Sequence, residues 1–369
     1  MINTIKRYSL KIFWKTFRVF LPKKSIQKSF SGEFFSNRHL LKLNFRQIVW
    51  CYTHCFLPKE YFAFNLKQND PRKYLSRLNN LRGGNINGEY SYIPGNKIFF
   101  ERHIKAVING IDKLHVIGNL GYIENGHLKS LNNKVISGKF DSLIPLLDKK
   151  DLFFKPVSGS RGSGIFLLQK KENSYLFDHE KISWQELEFR FNKFNNYLIQ
   201  ERFIQIGFSN DFNPATLNCL RICTMIDPFT NEPFIPYALH RFGSRDSGYT
   251  DNSSLGGISA VIGPDGRMEI GRTLNKEGQI EVYESHPLSN KRILSEQIPD
   301  WDDISKKIIE MARRMPYLNN IGWDIVLSNN EIYILEGNIG PGVNIIQIHK
   351  PLSEIPHAWN FYKYHNFFK

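Results

Sequence analysis

No stretch of this 369-residue chain approaches the roughly 18 uninterrupted apolar residues of a membrane-spanning helix, so no such span is expected. Cysteine is scarce. The four cysteines form two pairs, Cys51/Cys55 and Cys219/Cys223, at a spacing that could aim two thiols at one metal, with His54 beside the first. Their surroundings, IVWCYTHCF and LNCLRICTM, are core patterns, so buried free thiols in a reducing cytoplasm are expected instead. Acidic residues are missing from Met1 to Gly32, where eight Lys or Arg stand without one Asp or Glu. Between those bases Tyr8, Ile12, Phe13, Phe17 and Phe20 recur at near-helical spacing. A basic amphipathic helix is expected there, lying either on an anionic membrane surface or on its own protein. Lys and Arg interrupt every apolar core that a secretory leader would need. Internal repeats and low-complexity segments are also absent.

What is present is a chain able to build a sizeable core, 41% hydrophobic and 14% aromatic, with a formal charge of +14. That charge points to anionic partners: nucleotide, nucleic acid, acidic glycan or lipid headgroups. The first 100 residues mix basic and aromatic stretches with turn signals such as Arg82-Gly83-Gly84-Asn85 and read as a mainly helical region. From about Asp112 strands and helices alternate. DLFFKPV and GIFLLQK read as strands around a Gly/Ser loop. Ser183 and Glu186 have capping-box spacing and open a helix toward Phe194, and NYLIQERF is a short buried strand. Cys219–Met225 and Phe234–His240 read as strands. Asp302–Met315 reads as a helix with Ile304, Ile308, Met311 and Met315 on one side and Arg313 and Arg314 near its end. IGWDIVL and EIYILEG form a hairpin. The fold class is α+β rather than a doubly wound sheet.

Two stretches carry chemistry. In KPVSGSRGSGIF, Lys155 ends a strand and three glycines and three serines follow within eight residues. Glycine lets backbone N–H groups approach phosphates, and the lysine supplies a point charge. No Gly-Lys-Ser/Thr closes the loop and a strand follows it, so it is not a Walker loop. The second stretch is the hairpin. With a three-residue loop at Asn329–Glu331, Asp324 falls opposite Glu336 and shares a face with Asn338; a two-residue loop would separate them. Two carboxylates so placed repel unless a cation lies between them, and all-oxygen donors favour Mg²⁺ or Mn²⁺. Arg221, between apolar residues on a buried strand, needs an anionic partner.

Strand-Lys155-Pro-Gly/Ser loop-strand, then Gln200-Glu201-Arg202-Phe203, then Asp324…Glu336-x-Asn338-x-Gly-Pro-Gly resembles the ATP-grasp ligase superfamily over roughly Asp112 to Lys350. Phe56–Phe64, Thr216–Arg221, and Asp251-Asn252…Gly256-Gly257 followed by a Gly-Pro-Asp-Gly turn are similar to the sugar-transfer associated ATP-grasp family. The resemblance implies two α+β subdomains clasping nucleotide, at 101–205 and 206–350, after a basic helical region at 1–100 and before a tail at 351–369. It also implies roles. Lys113 and Lys155 would contact ATP phosphates, and Ser158, Gly159, Ser160, Gly162 and Ser163 would belong to a mobile loop closing over them. Glu201, Arg202 and Phe203 would be the adenine hinge. Asp324, Glu336 and Asn338 would hold one or two Mg²⁺, with Mn²⁺ as an alternative ion. Arg221, Arg241 and Asn252 would face phosphates or the acyl substrate. Related ligases carry an arginine two residues before the metal Asp, where this chain has Gly322. Arg221 is the candidate replacement, and Asp211 the candidate ribose carboxylate.

The implied activity is an ATP- and Mg²⁺-dependent carboxylate–amine ligase working through an acyl phosphate on a sugar acid or glycan precursor of surface polysaccharide. Its setting would be cytoplasmic, with peripheral membrane contact through residues 1–32. A phosphotransferase without an amine acceptor, and a non-enzymatic basic protein binding membrane or nucleic acid, are the alternatives, nucleic acid being the less favoured partner.

Overall fold

The computed structural model describes residues 25–132, 137–159, 164–171, 174–178, 180–244, 251 and 256–368. The amphipathic helix expected between Met1 and Phe20 lies outside these residues. The described chain opens with helices α1 (Ser25–Ser36), α2 (Phe45–Thr53), α3 (Pro58–Ala63), α4 (Arg77–Gly83) and α5 (Lys97–Val107). Short polar side chains start several of them. Asn44 and Gln47 cap each other's backbone reciprocally, Ser76 accepts from the Asn79 N–H, and Asn96 accepts from Ile98 and Phe99.

The strands follow in chain order: β1 (Leu114–Val116), β2 (Gly121–Glu124), β3 (His127–Ser130), β4 (Leu152–Pro156), β5 (Phe166–Lys171), β6 (Ser174–Phe177), β7 (Glu180–Ile182) and β8 (Tyr197–Glu201). After them come β9 (Leu220–Ile226), β10 (Pro233–Phe234), β11 (Ala238–Phe242), β12 (Ile258–Ile262), β13 (Gly271–Leu274), β14 (Ile280–Tyr283), β15 (Asn320–Ser328) and β16 (Glu331–Ile339). They build two sheets. One has the order β3-β2-β8-β4-β5-β6-β7, every pair antiparallel. The other runs β1-β16-β15-β9-β11-β12-β13-β14 with β10 attached to β9, and only β1–β16 is parallel. The chain therefore visits the second sheet once, through β1, before building the first.

Helix α6 (Trp184–Asn192) covers the first sheet through Leu187 and Phe191. Ser183 caps it by accepting from the Glu186 N–H at 3.1 Å, but the Glu186 carboxylate turns to Arg190, so the cap is one-sided. Helix α7 (Trp301–Arg313) packs Ile304, Ile308 and Met311 on one face of the second sheet. Helices α8 (Val343–Gln347) and α9 (Pro356–Tyr364) cover the other face. Strand β9, buried along its whole length, sends Leu220 and Ile222 to the α7 side and Cys223 and Met225 to the opposite one. Arg221 shares the second of these faces. The expected strand Phe234–His240 is two pieces, because Pro236 has no N–H to give a ladder. Cys51, Cys219 and Cys223 are buried and Cys55 partly so, all as free thiols. No described helix is long and apolar enough to cross a membrane.

The β15–β16 hairpin departs from expectation in an instructive way. Its loop is the two residues Asn329 and Asn330, both left-handed at φ 51° and 60°, and Ser328 pairs with Glu331. A loop of that length alone puts Asp324 and Glu336 on different faces. The register shifts, however: Ile325 pairs with Ile334 and Asp324 with Glu336, leaving Leu335 as an extra residue. Before this bulge Ile332 and Ile334 point into the core, and after it Gly337 does. Were Leu335 paired regularly in the ladder, Glu336 and Asn338 would continue the core-facing series. The bulge turns both toward the opposite side.

Candidate functional site

A cavity of about 680 Å³ runs alongside β16. At one end Phe203 packs edge-on against Tyr333 at 4.8 Å between ring centres. At the other, a side chain at Gly340 would come within 3.9 Å of Asn80 and Gly84 in the helical region. Tyr333 and Gly340 are seven residues apart, which in extended chain is about 20 Å.

Midway along the cavity lies a charged cluster. Asp324 sits across the sheet from Arg221, which donates from Nε to Oδ1 at 2.5 Å and from Nη2 to Oδ2 at 3.0 Å. This bidentate geometry is the strong form of the pair. Arg241 adds a bond from Nη1 to Asp324 Oδ1 at 3.2 Å and spends Nη2 on Asp251 Oδ1 at 2.7 Å. All four side chains are at least nine-tenths buried. Burial works to raise the Asp324 carboxyl, but the two guanidiniums overcome it and hold it below the usual range. Glu336 is pushed the other way, by burial and then by the Asp324 carboxylate. Of the two carboxyls, Glu336 is therefore the one that takes up a proton more readily.

Glycine at 322 is what admits Arg221. A Cβ there would lie 2.8 Å from Pro341 Cα and 3.1 Å from Arg221 Cδ. The arginine lies over the glycine and also donates to the Pro341 carbonyl at 3.3 Å. The Gly-Pro-Gly turn thus ends β16 and supplies a ligand to Arg221.

The donor set fits a divalent cation. Asn338 Nδ2 reaches both Asp324 Oδ2 and Glu336 Oε1 at 3.3 Å, so turning that amide over places Oδ1 between two carboxylates. No cationic side chain lies within ion-pair distance of Glu336 among the described residues. Nor do three or more His, Cys, Asp or Glu side chains converge as a metal cage among those residues; the set is two carboxylates and an amide. Oxygen-only sets of this kind suit Mg²⁺ and Mn²⁺.

Two lysines face this cluster. Lys155 donates to Gln200 Oε1 at 2.6 Å; burial pushes its ammonium down to about 8, against the pull of Glu336. Lys97, at the start of α5, donates from Nζ to the Gly159 carbonyl at 3.1 Å, and its backbone N–H donates to Val157. Burial lowers its pKa too, with Glu336 opposing. Lys97 therefore ties the helical region to the Gly/Ser loop.

Of the residues expected here, Asp324, Glu336, Asn338, Lys155, Gly159, Arg202, Phe203, Arg221 and Arg241 line the cavity. Ser158 stands just off its wall. Ser160, Gly162, Ser163 and Asn252 lie outside the described residues. Three of the expected residues lie elsewhere. Lys113 precedes β1, whose parallel pairing with β16 sets it beside the Glu331 end, about five residues or roughly 16 Å from Glu336. Glu201 turns away from the cavity to Lys150 at 2.5 Å, while Arg202 beside it bonds Asp151. Asp211 pairs with Lys291 at 2.8 Å and is not on the wall, so it is not placed for ribose.

Sequence reading missed Lys97, Asp251 and Asn218 as site builders. Asn218 is fully buried, accepts from the Gly243 N–H and donates to the Ser209 and Asn213 carbonyls, fixing the approach to β9. Its place in the Thr216–Arg221 stretch was the available signal. Lys97 had none beyond the Asn96 cap before it.

Residues 95–358 match the family model described as Sugar-transfer associated ATP-grasp. No curated protein matches the chain. Among solved structures, D-alanyl-alanine synthetase A from Vibrio cholerae O1 biovar eltor str. N16961 is similar at 11% identity and a TM-score of 0.43, over 76% of this chain and 66% of that one. An ADP complex of purK, N5-carboxyaminoimidazole ribonucleotide synthetase, is similar at 10% identity and TM-score 0.36, over 68% of this chain and 46% of that one. The biotin carboxylase–β-γ-ATP complex from Campylobacter jejuni gives 12% and 0.38, over 73% and 47%. The chain thus spans about half to two thirds of these three solved chains. With the family model covering residues 95–358, the chain belongs to the sugar-transfer associated ATP-grasp family and has its α+β fold, preceded by a mainly helical region.

Proposed function

We propose that the protein is an ATP- and Mg²⁺-dependent ligase that joins a carboxylate to an amine through an acyl phosphate. The observation that carries this reading is the convergence of Lys97, Lys155, Arg221 and Arg241 with the Asp324–Glu336–Asn338 set on one cavity. Arg202 and Phe203 would meet the adenine end. Lys155 and Lys97 would hold the phosphates, with Gly159 and the rest of its loop covering them. Asp324, Glu336 and Asn338 would hold one or two Mg²⁺, which when bound would neutralise phosphate charge and orient the γ-phosphoryl group.

The substrate carboxylate oxygen attacks the γ-phosphorus and the bond to the ADP oxygen breaks, giving the acyl phosphate. The amine nitrogen then attacks the acyl carbon, the carbon–oxygen bond to phosphate breaks, and the nitrogen loses a proton, leaving the amide. Arg221 and Arg241 stay ionised throughout and stabilise the charge that builds on the equatorial oxygens. Neither step needs an enzyme nucleophile. Cys219 lines the cavity, but burial pushes its thiol well above the ordinary range and denies it that role.

The description of the family supports a sugar acid or glycan precursor as the carboxylate, and an amino acid or ammonia as the amine, in surface polysaccharide synthesis. The acid-free segment 1–32 supports peripheral contact with anionic lipid at the inner membrane face. Co-sedimentation with anionic liposomes tests that contact, and failure to sediment removes it. The chemistry is tested by ADP release with MgATP, nucleotide-linked uronic acids and amines. Release that requires both an acid and an amine supports the ligase. Release without amine, leaving a stable phosphorylated product, makes it a phosphotransferase.

A further inference from the structure

Beyond Gly340 the cavity continues into a chamber whose wall comes from the helical region rather than from the two sheets. Glu33 of α1, Lys59 and Glu60 of α3, and Arg77 and Asn80 of α4 all line it. Charges of both signs face one space. The Glu33 carboxylate is fully used, taking Arg77 Nε at 2.7 Å and Nη2 at 2.8 Å. That leaves Arg77 Nη1 without a protein partner among the described residues.

Glu60 is 3% exposed and uses only Oε2, which accepts the Leu57 N–H at 2.8 Å. Its Oε1 has no hydrogen-bond partner among the described residues. The Asn80 side chain, 8% exposed, has none either. Polar groups on residues this deeply buried are normally satisfied, and those left unpaired here open on the chamber, where water or a ligand can meet them. Here three unused valences, an anionic acceptor, a cationic donor and an amide, open on one chamber.

We propose that this chamber holds the amine substrate and that the substrate is an α-amino acid, its ammonium taken by Glu60 and its carboxylate by Arg77, with Asn80 between. The inference rests on the ligase reading above and narrows it. Ammonia needs neither the volume nor a cationic partner, and a neutral sugar needs no pair of opposite charges. The zwitterion matches both signs. Bound so, the amine waits at the far side of the metal-ligand cluster from the adenine end, where it meets the acyl phosphate without crossing the nucleotide.

The test is calorimetry on the full chain saturated with MgADP, titrated separately with each of the twenty L-amino acids, D-alanine and ammonium chloride. At least one amino acid is expected to bind and ammonium is not. Glu60→Gln keeps an acceptor for the Leu57 N–H, and it and Arg77→Lys should each weaken that amino acid at least tenfold while MgADP binds as before. A thermal melt of each variant shows whether it is folded, and the conservative Arg77→Lys serves if Glu60→Gln is not. Normal MgADP binding with no amino acid bound, or an affinity unmoved by both substitutions, overturns the inference and leaves the nucleotide site standing. Absence of MgADP binding in the unaltered protein overturns both.

Discussion

Asp324 and Glu336 stand directly opposite each other across the β15–β16 hairpin because Leu335 is one residue too many for the ladder. The pairing the sequence suggested is present, but a bulge produces it and not a longer loop. Deleting Leu335 should remove the bulge and leave the pairs on either side intact, with Ile334 opposite Ile325 and Glu336 opposite Asp324. Glu336 and Asn338 then keep the face they share with Asp324, so the deletion variant is expected to go on binding Mn²⁺. A folded deletion variant that no longer binds Mn²⁺ would show that the bulge itself shapes the site, beyond choosing the face.

Gly322 and Arg221 form a second dependent pair. Gly322→Ala puts a methyl 2.8 Å from Pro341 Cα, where backbone must shift. Overpacking of this kind typically costs about 1–3 kcal/mol. Denaturant midpoints should fall accordingly, and nucleotide affinity should drop with them as Arg221 is displaced from Asp324.

Lys97 and Lys155 should matter to the nucleotide where Lys113 does not. Charge-assisted bonds contribute about 1.5–3 kcal/mol, so Lys97→Met and Lys155→Met should each weaken MgATP by roughly 10- to 100-fold. Lys113→Met should leave affinity unchanged. The free Lys155 ammonium titrates at about 8, so the cation is present below that pH and lost above it. MgATP affinity should therefore fall by up to about tenfold per pH unit as pH rises past 8. Lys155→Arg should flatten the profile.

His240 contributes to the loss of stability in acid. Burial pushes its imidazole down to about 3, and its Nδ1 has no partner while Nε2 meets Ser209. The folded pKa lies below the unfolded one, so the native state binds fewer protons and stability is lost as pH falls from about 6.5 toward 3. The slope from this group is at most about 1.4 kcal/mol per pH unit. Glu60, raised by burial to about 7, acts oppositely: its contribution is full below 4.5 and is lost as pH rises through 7. Comparing wild type with His240→Gln isolates the histidine, and the difference in stability should shrink as the pH is lowered.

The period-2 runs around Cys219–Met225 and Ile321–Leu327 were legible because both carry apolar residues on two faces that the helices cover. The amphipathic α7 was equally plain. The bulge was not, since ILEG contains nothing that marks Leu335 as unpaired; only the packing of Ile334 and Gly337 on the same core face decides it. Arg221 could be read as needing an anion because a lone charge among Leu220, Ile222 and Cys223 has to be neutralised. Lys97 could not, because its role depends on α5 docking on the Gly/Ser loop, a contact spanning more than fifty residues of sequence. Lys113 misled for the converse reason. It opens the region of alternating elements, but a parallel strand pairing carries it to the wrong end of β16.

The central claim is that Asp324 and Glu336 hold a divalent cation against the phosphates of ATP. Calorimetry of MgATP binding to wild type and to the Asp324→Asn/Glu336→Gln variant tests it most directly, since both substitutions keep size and hydrogen bonding. Saturable binding in the wild type that is lost in a folded variant is the predicted result. Equal affinity in the two proteins, or binding that persists when Mg²⁺ is chelated, would contradict it.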